Sequence, residues 1–337
     1  MLEPRGADSS MSEPARNDSA RDVKQARDAL LQGRIGDALD LVDRTRHDPD
    51  LDDDGQASLA LTGLLAKLAL GDLRGAASYS KDLVNLLRIH GRVAAAANFG
   101  LGEFSAARGL EDQAVAYYRR SGVEHGASGN HVWIPWRSGL ALMIGGHGET
   151  VTANELVEEE LAHARSLDMP YAVAYALRTQ SAVAPTELRV GLLGEALDVL
   201  DGCTAARLDA QIRTDLAGWL LLLRPEESTR AIDLLRTAEK YARQEELTPL
   251  LSRVRWLLER LGEAPDGELP GRLAELSTAE RRVARLVVAG RRNREIAAEL
   301  GVSVKSVEWH VSHILRKLSI TSRQDLADAL AQPRQPR

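Results

Sequence analysis

Gly33, Gly71, Gly109, Gly148 and Gly191 are each followed five positions later by an alanine, at Ala38, Ala76, Ala114, Ala153 and Ala196. These pairs stand 38, 38, 39 and 43 residues apart, and a sixth, with Glu226 in the glycine place and Ala231 after it, follows at a spacing of 35. Three residues beyond each alanine comes an apolar side chain, at Leu41, Tyr79, Tyr117, Leu156, Val199 and Leu234. Units of this length are single supersecondary modules that cannot bury an apolar face alone, so they must stack. Glycine ends one helix in the left-handed conformation, and the small alanine lets the next helix approach its neighbour closely. Residues 26–30, 59–70, 93–104, 136–144, 171–183 and 212–223 fit the first helices of six such hairpins. The expected body is an all-helical superhelix with a concave groove.

Composition agrees with an all-α chain. Hydrophobic residues make up 44% and aromatics only 4%, and 337 residues are more than one core usually holds. A single cysteine, Cys203, leaves no internal disulfide, as expected in a reducing cytoplasm. No apolar run is long enough to span a membrane, and residues 1–22 are polar, so they read as a disordered arm and not as a signal peptide. The expected repeat domain runs over residues 23–262. The Gly- and Pro-rich stretch at 263–271 reads as a linker, and 272–337 as a second domain.

Charge divides along the same boundary. From Pro270 onward thirteen Lys and Arg face seven Asp and Glu, a balance of +6. The thirty basic and forty-two acidic residues upstream give −12. A polyanion would be drawn to one end only, the pattern expected of a nucleic-acid module on an acidic body.

That end carries a helix-turn-helix pattern. Ser277 and Glu280 form a capping box ahead of Val283, Leu286 and Val287, and Gly290 stops the helix. Asn293 is placed to cap a short second helix with Ile296, Ala297 and Leu300. Gly301 then turns the chain and Ser303 caps a third helix. In the third helix Val304, Val307, Val311, Ile314, Leu315 and Leu318 form one stripe, leaving Lys305, Glu308, Trp309, Ser312, His313 and Arg316 outward as the reading face. A fourth helix, capped near Thr321 or Ser322, carries Leu326, Ala329 and Leu330 as an apolar strip.

These residues resemble the LuxR-type helix-turn-helix domain of bacterial regulators. The resemblance rests on L-S-x-x-E (Leu276 to Glu280), N-R-E-I-A (Asn293 to Ala297), S-V-K-S-V-E-W-H (Ser303 to His310), I-L-R-K-L (Ile314 to Leu318) and Ser322-Arg323. It implies double-stranded DNA as partner, with contacts from Asn293, Arg294, Ser303, Lys305, Ser306, Glu308, Trp309, His310, Ser312, His313, Arg316 and Lys317. It also implies a homodimer on DNA through Leu326, Ala329 and Leu330. Glu308 departs from the family, many members of which carry lysine there. A carboxylate instead accepts from a cytosine amino group or repels phosphate.

From about Asn130 the chain also resembles the carboxyl half of the large ATP-binding LuxR regulators, through N-H-V-W-I-P-W-R-S (Asn130 to Ser138), E-E-E-L-A-H-A-R (Glu158 to Arg165) and P-Y-A-V-A-Y-A-L-R (Pro170 to Arg178). The repeats are then tetratricopeptide-like, with a period longer than the standard one of about 34 residues. None of the six lysines follows a glycine, so a G-x-x-x-x-G-K phosphate loop is excluded and no cofactor is expected.

No nucleophile or metal-ligand spacing stands out, so neither catalysis nor a metal site is expected. Eight scattered histidines, with His125 and His131 the closest pair near the Gly-rich turn, lack a second ligand set. The run Asp48, Asp50, Asp52, Asp53 and Asp54 lacks a calcium loop's Gly and Glu, and reads as a solvated loop between repeats. Trp133, Pro135, Trp136 and Arg137 read as a proline-marked helix start. With Tyr79 and Tyr117, the two tryptophans also line the expected groove for an effector. The combined expectation is a transcription regulator whose repeats take a protein or small-molecule signal. The alternative is a helical adaptor that holds DNA only weakly or nonspecifically.

Overall fold

A computed structural model describes residues 13–126, 133–263, 276, 278–300, 303–326 and 329. Its regular elements are helical throughout the described residues. The first twelve helices form six antiparallel hairpins: α1 (Glu13–Gln32) with α2 (Ile35–Thr45), α3 (Asp53–Leu70) with α4 (Leu73–Leu86), α5 (Arg92–Ala107) with α6 (Glu111–His125), α7 (Trp136–Gly146) with α8 (Thr150–Ser166), α9 (Pro170–Val183) with α10 (Thr186–Val199), and α11 (Ala206–Leu223) with α12 (Ser228–Gln244). A further helix, α13 (Thr248–Arg260), packs on α11 and α12. All six segments expected as first helices fall inside α1, α3, α5, α7, α9 and α11. Helix α1 begins at Glu13, so the second half of the arm expected to be disordered is helical, in a stretch rich in Ala and Arg.

The repeat register is realised at the alanines. Ala38, Ala76, Ala114, Ala153, Ala196 and Ala231 are all fully buried where the second helix of a hairpin meets the first. Gly33, Gly71, Gly109 and Gly148 take positive φ and close the preceding turns. Gly191 does not: it lies inside α10, and the chain turns earlier, at Ala184 and Pro185. Glu226 sits in a short 3-10 turn before α12. Of the six apolar positions, Tyr79 and Leu234 are buried as expected, and in the other units the buried residue comes one position later. Val42, Tyr118, Val157, Leu200 and Leu235, four residues beyond their alanines, are buried, whereas Leu41, Tyr117, Leu156 and Val199 are only partly covered. Positions three and four apart share a helix face, so the pattern identified the face and missed its centre.

The acidic run after α2 proves to be a helix start. Asp52 accepts from Gly55 N at 2.8 Å to cap α3, and Asp53 and Asp54 lie in its first turn, where the helix dipole favours carboxylates. Asp72 caps α4 in the same way through Gly75 N. Other helices borrow a carboxylate from elsewhere in the stack. Glu124 accepts from Gly91 N at 2.8 Å, and Glu160 of α8 accepts from Ser138 N at 2.9 Å in the first turn of α7, where Pro135 offers no side-chain oxygen. Between α5 and α7 stands Tyr118. Its ring occupies the space where Cβ atoms on Gly102 and Gly139 would be, at 2.7 and 2.5 Å, and its hydroxyl donates to Glu103 Oε1 at 2.7 Å.

The stack closes on itself instead of remaining an open superhelix. Helix α13 packs on α3, and α11 meets α1. Tyr241 Oη donates to Gly33 O at 2.7 Å, and Ile35 N, at the start of α2, donates to Glu245 Oε2 at 2.9 Å. Two apolar cores form the ring. One runs from α1 to Val157 of α8, and the other from Leu161 of α8 to α13. Tyr241 and Leu250 pack against both, so the two arcs are tied at α8 and at the seam.

Glu160 makes the stability of this ring depend on pH. Burial raises its carboxyl from 4.5 to about 7, against the opposing pulls of the Ser138 N–H and the Arg137 charge. Between those values the folded state holds a proton that the unfolded state has lost. The stabilisation is complete below about pH 4.5 and is lost as the pH rises to about 7. A shift of this size is worth on the order of 3 kcal/mol. Glu160→Gln keeps an acceptor for Ser138 and removes the titration. Urea midpoints measured across this range are expected to fall with pH in the parent and to lose that slope in the variant, whereas parallel profiles would contradict the assignment.

Candidate nucleic-acid interface

Helices α14 (Thr278–Val288), α15 (Asn293–Leu300) and α16 (Val304–Lys317) pack around a separate small core of Leu276, Val283, Val287, Ile296, Val307 and Ile314, with Leu318 and Leu326 at its edge. Gly290, at φ 78°, ends α14 as expected, with its N–H on Val287 O and that of Arg291 on Leu286 O. Ser303 caps α16, its hydroxyl accepting from Ser306 N at 3.1 Å. Ser277 and Gly301, expected to cap and to turn, lie outside the described residues.

Helix α16 buries Val307, Ile314 and Leu318 and half-buries Val311 and Leu315. Val304, expected in that stripe, is exposed, because the first turn of the helix projects beyond the core. On the other side Lys305, Glu308, Trp309, Ser312 and Arg316 face solvent, with Ser306, His310 and His313 half-buried beside them. Trp309 is the decisive member. A tryptophan with 56% of its surface exposed on a stable helix is held out of the core, and here it is also held in one orientation. The His313 ring stacks on it at 3.9 Å, His310 meets its edge at 5.0 Å, and His313 Nδ1 lies 3.1 Å from Trp309 O.

An open depression runs from this face to the turn before α15. Arg291, Arg292, Arg294 and Arg323 surround Glu308 and Val304 there. Arg323 was expected only as a matching pair with Ser322. It reaches back to donate to Asn293 Oδ1 at 2.7 Å and to the carbonyl of Arg291, which fixes the turn. Asn293, expected to cap α15, is instead the first residue of that helix, and its side-chain oxygen accepts from Arg323. The nearby N-terminal bond is instead Glu295 Oε2 accepting from Arg292 N at 2.7 Å. The cluster R-R-N-R after a glycine was visible in sequence; the return of Arg323 from thirty residues later was not.

Two groups expected to make contacts are engaged inside the domain. Lys317 Nζ donates to Glu280 Oε2 at 2.6 Å, and Glu280 is almost wholly buried. Leu326, expected in a pairing strip, belongs to the domain's own core at 1% exposure, and Ala329, expected beside it, is buried at 4%. A 3-10 turn at Arg323–Asp325, with Ser322 Oγ accepting from Gln324 N, leads into them. Leu330 lies outside the described residues.

The four groove residues expected in the body are not brought together. Tyr79 is buried in α4 with its hydroxyl 3.1 Å from Asp43 Oδ1, and Tyr117 lies on another hairpin. Trp136 packs at Gly122 with Arg137 over its ring, whereas Trp133 lines a central cavity.

Residues 274–330, which contain the three helices and the turn that follows, match the family described as "Bacterial regulatory proteins, luxR family". The chain carries a LuxR-family helix-turn-helix domain. Relatives share this domain: an HTH-type transcriptional regulator of Mycobacterium bovis is 41% identical over 61 residues, and the oxygen regulatory protein NreC of Staphylococcus carnosus is 43% identical over 53. These alignments cover 18% and 16% of the chain, and 7% and 24% of the respective relatives. No described helix is long and apolar enough to cross a membrane.

The pairing of Lys317 with Glu280 separates stability from contact. Lys317→Met leaves a buried carboxylate short of a donor, and is expected to cost the LuxR-family domain about 1–2 kcal/mol. Denaturant-dependent hydrogen exchange of the α14 and α16 amides measures this, and an unchanged midpoint would show that the ion pair is not stabilising.

Proposed function

We propose that the chain is a sequence-specific transcription regulator that lays α16 in the major groove of double-stranded DNA, with the helical ring taking an input. The observation that carries this reading is the outward face of α16. Lys305, Glu308, Trp309, Ser312 and Arg316 are exposed along one side of a capped helix, beside the arginines of the turn.

The roles follow from position. Ser306 and Lys305 stand at the amino end of α16, where free N–H groups and the dipole favour a phosphate and so register the helix. Arg291, Arg292 and Arg294 add positive charge along the flanking strand, as does Arg316 one helical face further on. Glu308, Trp309 and Ser312 then meet base edges. Glu308 accepts from a cytosine amino group, and the Trp309 ring, held by His313, contacts an apolar thymine edge. Phosphate contacts set affinity and base contacts set preference. Two copies on inverted half-sites remain part of the proposal, carried by the family resemblance.

The helical body is the input side. Its size and its closed form exceed what a DNA anchor needs, and any signal it takes acts only through differential affinity for two arrangements. An adaptor that holds DNA nonspecifically would bind all duplexes alike.

Binding of the full chain to its own promoter and to random duplexes distinguishes these readings. Arg316→Ala is expected to weaken binding to every sequence and to lower the salt slope by about one. Trp309→Ala is expected to alter preference among sequences with little change in that slope. If both variants bind as the parent does, α16 is not the reader.

A further inference from the structure

Closure of the ring turns the inner faces of α1, α3, α5, α7, α9 and α11 into the wall of one central cavity of about 250 Å³. That exceeds the roughly 150 Å³ that takes up benzene, so the space suits a molecule of on the order of ten heavy atoms. Its two sides differ in chemistry. The arc from α1 to α7 contributes mainly apolar groups, Leu30, Leu31, Leu65, Phe99, Leu142 and Met143, with Glu103, Tyr118 and Trp133 as its polar members. The arc from α9 to α11 contributes Tyr171, Tyr175, Arg178, Arg207 and Gln211. An apolar wall opposite a polar one selects an amphipathic occupant.

The unpaired groups give that occupant its charge. Arg207 Nε and Trp133 Nε1 are buried N–H donors without a hydrogen-bond acceptor, and both residues line the cavity. Buried donors ask for an acceptor. Arg178 is already engaged, its Nε donating to Asp215 Oδ2 at 2.7 Å. The one acidic residue of the lining, Glu103, accepts from the Tyr118 hydroxyl at 2.7 Å. Burial raises the Glu103 carboxyl pKa against the opposing effects of Tyr118 and Arg207. The surplus is therefore of buried N–H donors, one from Arg207 on α11 and one from Trp133 just before α7.

We propose that this cavity binds a small amphipathic organic acid, its hydrocarbon body against the α1 to α7 wall and its carboxylate on Arg207. The acid would touch both arcs and so bridge the two cores of the ring. This site would serve the input role proposed for the ring. Its test is made without DNA, so a failure here leaves the DNA-reading proposal standing.

Three compounds with one body and different heads provide the probes: 3-phenylpropionate, 3-phenylpropanol and 3-phenylpropylammonium, titrated calorimetrically into the full chain. The acid is expected to bind about tenfold or more tightly than the other two. Arg207→Gln is expected to erase that preference, and Arg207→Lys, which keeps the cation, to retain most of it. If Arg207→Gln lowers the unfolding temperature, Gln211→Trp takes its place: it fills the cavity from the same helix and is expected to abolish acid binding. Equal binding of alcohol or ammonium, acid binding that survives both Arg207→Gln and Gln211→Trp, or no binding of the acid at millimolar concentration would each overturn the proposal.

Discussion

The hydrogen bond from Tyr241 to the carbonyl of Gly33 joins residues 208 positions apart, and the ring depends on that junction. The left-handed turn at Gly33 matters because a Cβ there would lie 2.7 Å from both the Tyr241 hydroxyl and the backbone nitrogen of Arg207. The seam therefore accepts glycine and little else. Glu245 adds its carboxylate to the start of α2, and Pro249 packs at the Gly71 turn, so α12 and α13 together fasten the last hairpin to the first two. A stack whose units contact only their neighbours leaves its end faces bare. Closure removes that cost here and makes the inner wall an enclosed surface.

Sequence periodicity revealed the hairpins because alanine at a close helix crossing has few substitutes. Six alanines predicted six fully buried sites. The apolar companion was placed one residue early in four units and correctly at Tyr79 and Leu234, since a helix face admits either spacing. Gly191 was misleading for a similar reason: it has the right distance from Ala196, but Pro185 had already ended the preceding helix. Closure itself was not legible. It depends on pairs such as Tyr241 with Gly33 and Ile35 with Glu245, which no local pattern marks. The cavity was hidden with it, and of the four aromatic residues singled out for a groove only Trp133 lines it.

In the carboxyl-terminal domain the reading helix was legible because amphipathic spacing and the Ser303 cap are local signals. The fate of individual charges was not. Lys317 and Arg316 are adjacent in sequence, yet one is tied to Glu280 and the other faces solvent. Arg323 and Asn293 are likewise drawn together by the tertiary fold to brace the arginine turn. A count of basic residues thus overstates the charge available to a polyanion. Among the described residues, the basic groups left on the surface lie along α16 and that turn.

The central claim is that α16 distinguishes DNA sequences. Repeated selection of bound duplexes from a random pool by the full chain tests it most directly. Enrichment of a defined motif is expected, as one half-site or as an inverted pair spaced by about one helical turn. Recovery of a pool with no enriched sequence after successive rounds, at a salt concentration where binding still occurs, would contradict it.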